Sequence, residues 1–315
     1  MKISRSLEEL SQQLSASCVT IGNFDGVHIG HQQLIKKTKT KAKTLGIPSV
    51  VVTFDPHPLR VLVDSKTPPF ITLTEQKIEL ISKLDIDYLF CLPFNKEIAR
   101  LEPEEFVYTY LVQGLKTREL LVGYDYAFGK GRKGNFQLLK KLGEKWGFRV
   151  EQLPPVMYDG AIVSSTRIRD LVKAGLVWQA RPLLGRFYQV RGKVIEGKKR
   201  GGKLLGFPTA NIQLKDELFP KTGVYAVWVE VLDLIKAGVA NIGYNPTFGN
   251  DYLSVEVHIF DFKENIYGKK IKVHFVQRLR DEKKFNSLEE LTAQIQKDAL
   301  LAKEILNLPE AAIIC

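Results

Sequence analysis

The alternation of predicted strands and helices stops partway along the chain, and this change of pattern constrains the fold more than any other feature. Before Leu184, short β-branched or aromatic runs alternate with stretches of helical periodicity. The predicted strands are residues 18–22, 48–54, 87–92, 119–123 and 148–153, and the predicted helices are residues 31–45, 74–84, 103–113 and 135–146. This alternation predicts an α/β domain with a parallel sheet covered on both faces, whose ligands bind beyond the carboxyl ends of the strands.

Residues that favour the start of a helix support three of these helices. Thr74 and Asn135 stand where N-caps are expected, and Pro103 fits the first turn of a helix.

After Leu184 the chain changes to alternating strands separated by turns, with one long helix near its end. The predicted strands are residues 189–197, 223–231, 237–243, 253–261 and 269–279, and the predicted helix is 287–306. Ser287 and Glu290 form a capping box at the start of that helix. The pattern predicts a small antiparallel β-barrel carrying a C-terminal helix. The chain of 315 residues is long enough for two domains, and we place them at residues 1–184 and 185–315.

The net charge of +11 is spread along the chain, which bears on the class of ligand. Residues 1–184 hold 26 Lys and Arg against 19 Asp and Glu, and residues 185–315 hold 20 against 16, so neither half is a basic tail. The densest basic cluster, at 198–203, is interleaved with glycines, which is typical of a loop that wraps phosphates rather than of a nucleic-acid arm. We therefore expect no contact with nucleic acid.

Three features predict a cytoplasmic protein that does not contact a membrane. The N-terminal residues are polar, and the sequence has no apolar run of membrane length. The three cysteines are widely spaced, which predicts reduced thiols.

The most specific motif of the first half is VTIGNFDGVHIGHQQLI, in which a predicted strand runs through a glycine-rich loop into a helix. His28 and His31, three residues apart at this junction, can both face a phosphate chain bound at the helix N-terminus and neutralise a departing pyrophosphate. The alternative is that each histidine is a hydrogen-bonded turn residue. The presence of both histidines together with flanking glycines favours the phosphate-binding role.

A second phosphate-binding motif, VSSTRIRDLV, opens another predicted helix. Ser164, Ser165 and Thr166 supply hydroxyl groups, and Arg169 can bridge two phosphate oxygens. The alternative is an ordinary helix cap. The motif therefore supports a phosphate site only in combination with the two histidines.

Hard oxygen ligands and a carboxylate mark the second half. In GKKRGGKLLGFPTANI, Pro208 stiffens the chain before Thr209 and Asn211, whose side-chain oxygens suit Mg²⁺ held with nucleotide phosphates. A proline turn in a basic loop is the alternative. Glu256 shares a strand face with Ser254 and His258, and if that face lines the barrel mouth its carboxylate can accept a proton from a substrate hydroxyl. Otherwise it is a solvated strand residue.

Aromatic residues follow two strands of the first half on the side where a ligand is expected. Phe54, Tyr126 and Phe128 can stack on a planar heterocycle, with core packing as the alternative. The sequence has no metal-binding Cys/His cluster, catalytic Ser/His/Asp order or Walker loop, which excludes those chemistries.

Taken together, these strings resemble the prokaryotic bifunctional riboflavin kinase and FAD synthetase (FMN adenylyltransferase) family. The resemblance covers nearly the whole chain and preserves the order of GNFDGVHIGH, TFDPHP, LPFN with PEEFV, VGYDYAFG, SSTRIR, LLGRFY, GFPTANI, GVYAVWV, GVANIGYNPTFG, LSVEVHIFDF and FVQRLRDEKKF. It implies an α/β nucleotidyltransferase domain of Rossmann-like fold that adenylylates FMN, followed by a β-barrel kinase that phosphorylates riboflavin. Both steps would use Mg²⁺ and ATP.

The resemblance also assigns roles to residues of this chain. For the adenylyltransferase it implies catalytic roles for His28, His31 and Arg169, and an ATP site at Gly22, Asn23, Phe24, Asp25, Gly30, Asp125, Ser164, Ser165 and Thr166. It implies a flavin pocket at Phe54, Pro56, Pro58 and Phe128. For the kinase it implies Glu256 as the base, Thr209 and Asn211 as metal ligands, and nucleotide contacts at Gly201, Lys203, Gly206 and Pro208.

Three departures from the family pattern bear on activity. Asn135 stands where a carboxylate is common, Gly202 where an arginine is usual, and Tyr126 with Ala127 where an aromatic and arginine pair is common. The first departure motivates a rival hypothesis, a riboflavin kinase with a weakened or repurposed adenylyltransferase domain. A basic nucleic-acid-binding protein is the rival of another class, although no aromatic and basic recognition motif supports it.

Overall fold

The structure is a computed structural model that describes residues 1–63, 67–196, 207–215, 217–247 and 250–312. The chain forms two compact units, Met1–Ser165 and Thr166–Cys315. The sequence pattern places the boundary later, at Leu184. The helix Val177–Leu184, which lies before the predicted boundary, packs on barrel strands of the second unit and so belongs to that unit.

The first unit is built on a six-stranded sheet in which every pairing is parallel. Its strands are β1 (Lys2–Ser4), β2 (Ser17–Ile21), β3 (Ser49–Phe54), β4 (Tyr88–Leu92), β5 (Thr117–Gly123) and β6 (Arg149–Leu153). The spatial order is β1-β4-β3-β2-β5-β6, so the chain builds outward from β2 first on one side and then on the other. This reversal between β2 and β5 opens a crevice at their carboxyl ends, where ligands of open α/β sheets bind.

Helices connect and cover these strands. They are α1 (Leu7–Gln13), α2 (Ile29–Leu45), α3 (Pro58–Leu62), α4 (Thr74–Ser82), α5 (Lys96–Arg100), α6 (Pro103–Phe106) and α7 (Phe136–Trp146). A π-helix, Val107–Gly114, continues α6, and a short hairpin joins β7 (Met157–Tyr158) to β8 (Ala161–Ile162). Two buried apolar clusters, one containing Phe90 and Leu139 and the other Ile35 and Leu89, form the core of the unit.

The structure confirms two of the three predictions made for helix starts in the first unit. Asn135 caps α7 by accepting a hydrogen bond from the backbone N–H of Leu138 (3.0 Å), and Pro103 is in the first turn of α6, as predicted. The prediction for Thr74 was wrong, because Leu73 is the N-cap and Thr74 is the first helical residue. The Thr74 hydroxyl instead donates to Oδ1 of Asp55 (3.0 Å).

The second unit is a closed antiparallel barrel in the order β10-β13-β12-β11-β14-β9, which confirms the predicted barrel. Its strands are β9 (Tyr188–Ile195), β10 (Ala210–Ile212), β11 (Gly223–Val231), β12 (Leu234–Thr247), β13 (Asn250–Ile259) and β14 (Lys270–Arg280). Helices α8 (Ser165–Lys173), whose first residue belongs to the first unit, and α9 (Val177–Leu184) precede it, and α10 (Leu288–Leu306) follows it. The aromatic side chains of Tyr188, Tyr225 and Phe275 are fully buried in this unit.

The C-terminal helix begins at the predicted capping box. Ser287 Oγ accepts a hydrogen bond from the backbone N–H of Glu290 (3.2 Å), and the Glu290 carboxylate accepts one from the backbone N–H of Asn286 (3.2 Å). The apolar face of α10, with Ala302, Ile305 and Leu306, packs against the outside of the barrel.

Candidate active sites

The loop between β2 and α2 has a backbone that few sequences tolerate. Phe24 (φ +49°), Gly26 (φ +84°) and Val27 (φ +40°) all adopt left-handed conformations. The Phe24 ring is buried against Gly22, where an added Cβ would lie 3.1 Å from the ring. A side chain at position 22 would therefore press on the Phe24 ring, and glycine leaves room for the ring to pack.

The two histidines of this loop lie together at the start of α2. His28 is the N-cap, and its Nδ1 accepts a hydrogen bond from the backbone N–H of His31 (3.3 Å). The two imidazole rings stack with centroids 3.5 Å apart at 19°, and Gly30 leaves room for the His28 ring. The structure thus brings the predicted pair to a helix N-terminus, where the helix dipole favours bound phosphate.

The environment of His31 keeps its imidazole neutral. Burial lowers the pKa of His31 well below its ordinary value, and the neighbouring charges of His28 and Lys77 lower this pKa further. Its Nδ1 atom is buried with no hydrogen-bond partner among the described residues. An anion bound beside the ring would favour the protonated form, since opposite charge raises the pKa of a histidine.

Asp25 and Ser165, both predicted to contact ATP, take part in holding this loop. The Asp25 carboxylate is buried, and its Oδ1 accepts hydrogen bonds from the backbone N–H groups of Ile71 (3.0 Å) and Thr72 (3.1 Å). Ser165 Oγ donates to the backbone carbonyl of Asp25 (2.8 Å). These bonds support the loop itself, and a direct contact of either side chain with ATP remains a prediction.

The remaining residues of the second phosphate motif lie on both sides of the unit boundary. Ser164 precedes α8 within the first unit, while Thr166 and Arg169 belong to the part of α8 in the second unit. Their grouping with the histidines around one triphosphate therefore stays a prediction.

Polar and aromatic residues follow the strands at the predicted edge of the sheet. Asp125 is exposed just after β5, next to the carboxyl end of β2, which is the crevice between these two strands. At the end of β3, Phe54 packs edge-on against Phe94 with ring centroids 5.5 Å apart. Pro56, after a cis peptide bond, is exposed, and Pro58 is the first residue of α3.

Phe128 occupies a different environment from Phe54. It is only 7% exposed, stacks on Tyr126 with centroids 5.6 Å apart and belongs to the apolar core. An added Cβ on Gly134 would lie 2.5 Å from the Phe128 ring, so this glycine is required for the packing. Core packing, the alternative considered from the sequence, accounts for Phe128, and its contact with a flavin remains a prediction.

The predicted residues of the barrel site are brought together by strand register. Asn211 of β10 lies directly opposite Glu256 of β13, which lies opposite Asn241 of β12 on its other side. Side chains directly opposite in antiparallel strands have Cβ atoms about 5 Å apart. We call these three residues the Asn–Glu–Asn row. Its middle member is the predicted base, and one flanking member is a predicted metal ligand.

This row lies on the outer face of the barrel. Val255 and Val257, the neighbours of Glu256, are fully buried, so Glu256 lies on the outer side of β13, where His258 is also half-buried and Ser254 is buried. Pro208 and Thr209 are exposed just before β10, and the Pro208 carbonyl oxygen lies 2.9 Å from Nδ1 of His258. The predicted contacts at Gly201, Lys203 and Gly206 lie outside the described residues.

Sequence reasoning missed two residues at this face. Asn241 was hidden in an apolar strand, and only the register of β12 against β13 places it beside Glu256. Glu282, after β14, places its carboxylate where a Cβ on Gly243 would stand, so the carboxylate would have to shift to admit a side chain there. The Asn241 amide nitrogen lies 3.5 Å from the same position. A glycine in a strand is a known sign of such close approach, and this signal could have drawn attention to Gly243.

Asn211, a member of the row, and Thr209, which lies just before β10, supply donors that fit a magnesium ion shared with a nucleotide. Within the described part of the chain no group of three or more His, Cys, Asp or Glu side chains could hold a metal by itself. The hydroxyl of Thr209 and the amide oxygen of Asn211 are hard donors, and Mg²⁺ in nucleotide sites commonly takes one or two protein oxygens together with phosphates and water.

Known proteins match this chain along nearly its whole length, across both the parallel sheet and the six-stranded barrel. Residues 10–167 match the FAD synthetase family and residues 184–306 match the riboflavin kinase family. The bifunctional riboflavin kinase/FMN adenylyltransferase of Escherichia coli K12 is 37% identical over 99% of this chain and all of its own length. That of Pseudomonas fluorescens is 39% identical over 97% of this chain and 98% of its own.

A solved structure matches the whole fold as well. A crystal structure described as a macrolide-efflux protein from Streptococcus pneumoniae has a TM-score of 0.85 and 30% identity, covering 96% of this chain and 98% of its own. Among the residues described for this chain, we find no helix with the length and apolar character of a membrane span. The chain belongs to the bifunctional riboflavin kinase/FMN adenylyltransferase family and carries both of its domains.

Proposed function

We propose that the two units work in sequence on one flavin. The barrel phosphorylates riboflavin to FMN with ATP, and the first unit adenylylates FMN to FAD with release of pyrophosphate. The pairing of Asn211 with Glu256 across neighbouring strands carries the kinase assignment, because it joins a hard oxygen donor and a proton acceptor at one point. Family membership over the full length supports both activities.

In the kinase step, Glu256 accepts the proton of the ribityl 5′-hydroxyl of riboflavin as that oxygen attacks the γ-phosphorus of ATP. The bond from the γ-phosphorus to the bridging oxygen breaks, and ADP leaves. Thr209 and Asn211 would hold Mg²⁺, which when bound neutralises charge on the phosphates. Asn241 faces Glu256 from the opposite strand and can orient its carboxylate or the substrate by a hydrogen bond from its amide.

In the adenylyl step, a phosphate oxygen of FMN attacks the α-phosphorus of a second ATP, and pyrophosphate leaves. His28 and His31 lie stacked at the N-terminus of α2, where they and the exposed backbone N–H groups can stabilise charge that gathers on the leaving group. Arg169 and the hydroxyls of Ser164 and Thr166 are proposed to complete this grip. Neither step requires a covalent intermediate on the protein.

We further propose a cytoplasmic location. Cys18 and Cys91 are both free and buried in the first unit, which is in keeping with a reducing compartment.

The test of the proposed function is flavin chromatography on the intact chain incubated with riboflavin, ATP and Mg²⁺. We expect FMN to form first and FAD to follow. Accumulation of FMN without FAD would support the rival hypothesis of a weakened adenylyltransferase domain, and the absence of both products would overturn the proposal.

A further inference from the structure

A buried lysine, Lys77, lies close to the loop between β2 and α2 that ends at His28. Neither step of the proposed mechanism uses this lysine. Lys77 of α4 is only 4% exposed, and its Nζ lies 3.3 Å from Oγ1 of Thr53, near the end of β3. Burial lowers the pKa of Lys77, while the negative charges of Asp25 and Asp55 raise it. Burying an ammonium group is costly unless it is paired, so its retention here needs an explanation.

The hydrogen bonds around Lys77 point toward the loop. Thr53 is fully buried, and its hydroxyl also lies 3.3 Å from the backbone carbonyl oxygen of Asn23. An ammonium group can only donate, so Thr53 Oγ1 must accept from Lys77, and its single proton is left to donate to Asn23. A carbonyl oxygen can only accept, so the bond to Asn23 needs the Thr53 proton, and the Lys77 ammonium, which offers that proton no acceptor, keeps it available for Asn23.

The segment that carries Lys77 holds the same loop at two further points. Asp25 accepts hydrogen bonds from the backbone of Ile71 and Thr72, and the Thr72 hydroxyl accepts one from the backbone N–H of Gly26 (3.0 Å). The bonds to Asn23, Asp25 and Gly26 bracket Phe24, whose left-handed backbone needs support from its surroundings. The segment 71–77 therefore serves as the scaffold of the loop that ends at His28.

We propose that Lys77 is a positioning residue of the adenylyltransferase site, which orients Thr53 to fix the carbonyl of Asn23 and so holds the loop from Asn23 to His28 in the conformation that receives the ATP triphosphate. This inference rests on the proposed adenylyl transfer. It assigns Lys77 no contact with the substrate.

The test compares three single variants of the intact chain and measures both activities with the flavin assay. Lys77→Met removes the charge at similar volume, and Thr53→Val removes the hydroxyl while keeping the shape. We expect each to lower kcat for FMN adenylylation by more than tenfold with KM for FMN within twofold of the parent. Thr53→Ser keeps the hydroxyl and should retain most of the parent rate of FMN adenylylation. Riboflavin phosphorylation by the barrel is the internal control and should stay unchanged.

A double variant separates positioning from mere stability. If Lys77 acts through Thr53, Lys77→Met combined with Thr53→Val should lose no more activity than the stronger single variant. Equal losses in Thr53→Ser and Thr53→Val, or multiplying losses in the double variant, would overturn the inference. Should Lys77→Met fail to fold, the comparison of Thr53→Ser with Thr53→Val still tests whether the hydroxyl that Lys77 contacts is required for adenylylation. A parent chain that makes no FAD would overturn the proposed function together with this inference, whereas normal FAD synthesis by Lys77→Met would overturn this inference alone.

Discussion

Asn211 and Glu256 face each other directly across strands β10 and β13, although they are far apart in the sequence. Asn241 faces Glu256 from the other side, so the carboxylate lies between two amides on the outer face of the barrel. An amide can donate to a carboxylate or accept from a hydroxyl, so the row can orient both the base and the alcohol that it deprotonates.

Glu256→Gln should separate the two activities. The amide cannot accept the proton of riboflavin, so FMN formation should fall by at least about 10²-fold. Conversion of supplied FMN to FAD should be unchanged, because the adenylyltransferase residues lie elsewhere. Flavin chromatography with each substrate measures both rates, and Glu264→Gln, an exposed carboxylate of the same unit, is the matched control. Loss of both activities in the Glu256 variant would argue against separate sites.

His31→Ala should have the opposite effect. Removing one of the stacked imidazoles takes away a group that stabilises the pyrophosphate, so FAD formation from FMN should fall by about 10²-fold. Riboflavin phosphorylation in the same preparation should be unaffected. An unchanged rate of FAD formation would exclude His31 from the chemistry and favour the turn-residue alternative.

Asn241→Ala should weaken the kinase without abolishing it. The loss of one hydrogen bond to Glu256 or to the substrate predicts a decrease of about tenfold in kcat for FMN formation. Steady-state kinetics with riboflavin as the varied substrate measure kcat and KM separately, and FMN adenylylation is the internal control. A kcat equal to that of the parent chain would show that the position of Asn241 in the row has no part in catalysis.

Asn135 tests whether the departure from the family sequence affects adenylyl transfer. Its side chain caps α7, a role that Asp fills equally well, so Asn135→Asp should leave both stability and FAD formation unchanged. Asn135→Ala should lower the free energy of unfolding by about 1 kcal/mol. Asn95→Asp, at the N-cap of α5, is the matched control because it makes the same type of cap. An increase of several-fold in FAD formation that is confined to Asn135→Asp would mean that the missing carboxylate matters for chemistry.

Glu217 should make the stability of the chain depend on pH. It is only 3% exposed, and burial raises the pKa of its carboxyl from 4.5 to about 8, against smaller lowering effects from Arg191 and Lys215. Between these two values the folded state keeps a proton that the unfolded state releases, so stability should fall as pH rises from 4.5 through 8, by up to roughly 1.4 kcal/mol per pH unit. Glu217→Gln should remove this contribution. Thermal unfolding midpoints from pH 5 to 9 measure it, and parallel profiles for parent and variant would contradict the prediction.

Features whose cause is local were predictable from the sequence. The continuous apolar run of β3 and the cap at Asn135 each depend on a few neighbouring residues, so their physical cause is visible in the sequence. The π-helical turn after Phe106 and the short edge strand β1 were not predicted, because their sequences match an ordinary helix and a polar loop. Thr74 was assigned to a cap because the sequence does not show that Asp55 lies within reach of its hydroxyl.

By itself the sequence determined that the chain has an α/β half with a phosphate-binding loop and a barrel half with a carboxylate on an alternating strand. Only the tertiary structure decided which polar groups are neighbours: Asn241 lies beside Glu256 through strand register, and Lys77 lies under Asn23 through the packing of α4 on the sheet. The tertiary structure also decided the environment of Phe128, whose side chain is buried in the core. The physical reason is that periodicity and capping act over a few residues, whereas register and burial are set by partners distant in the chain.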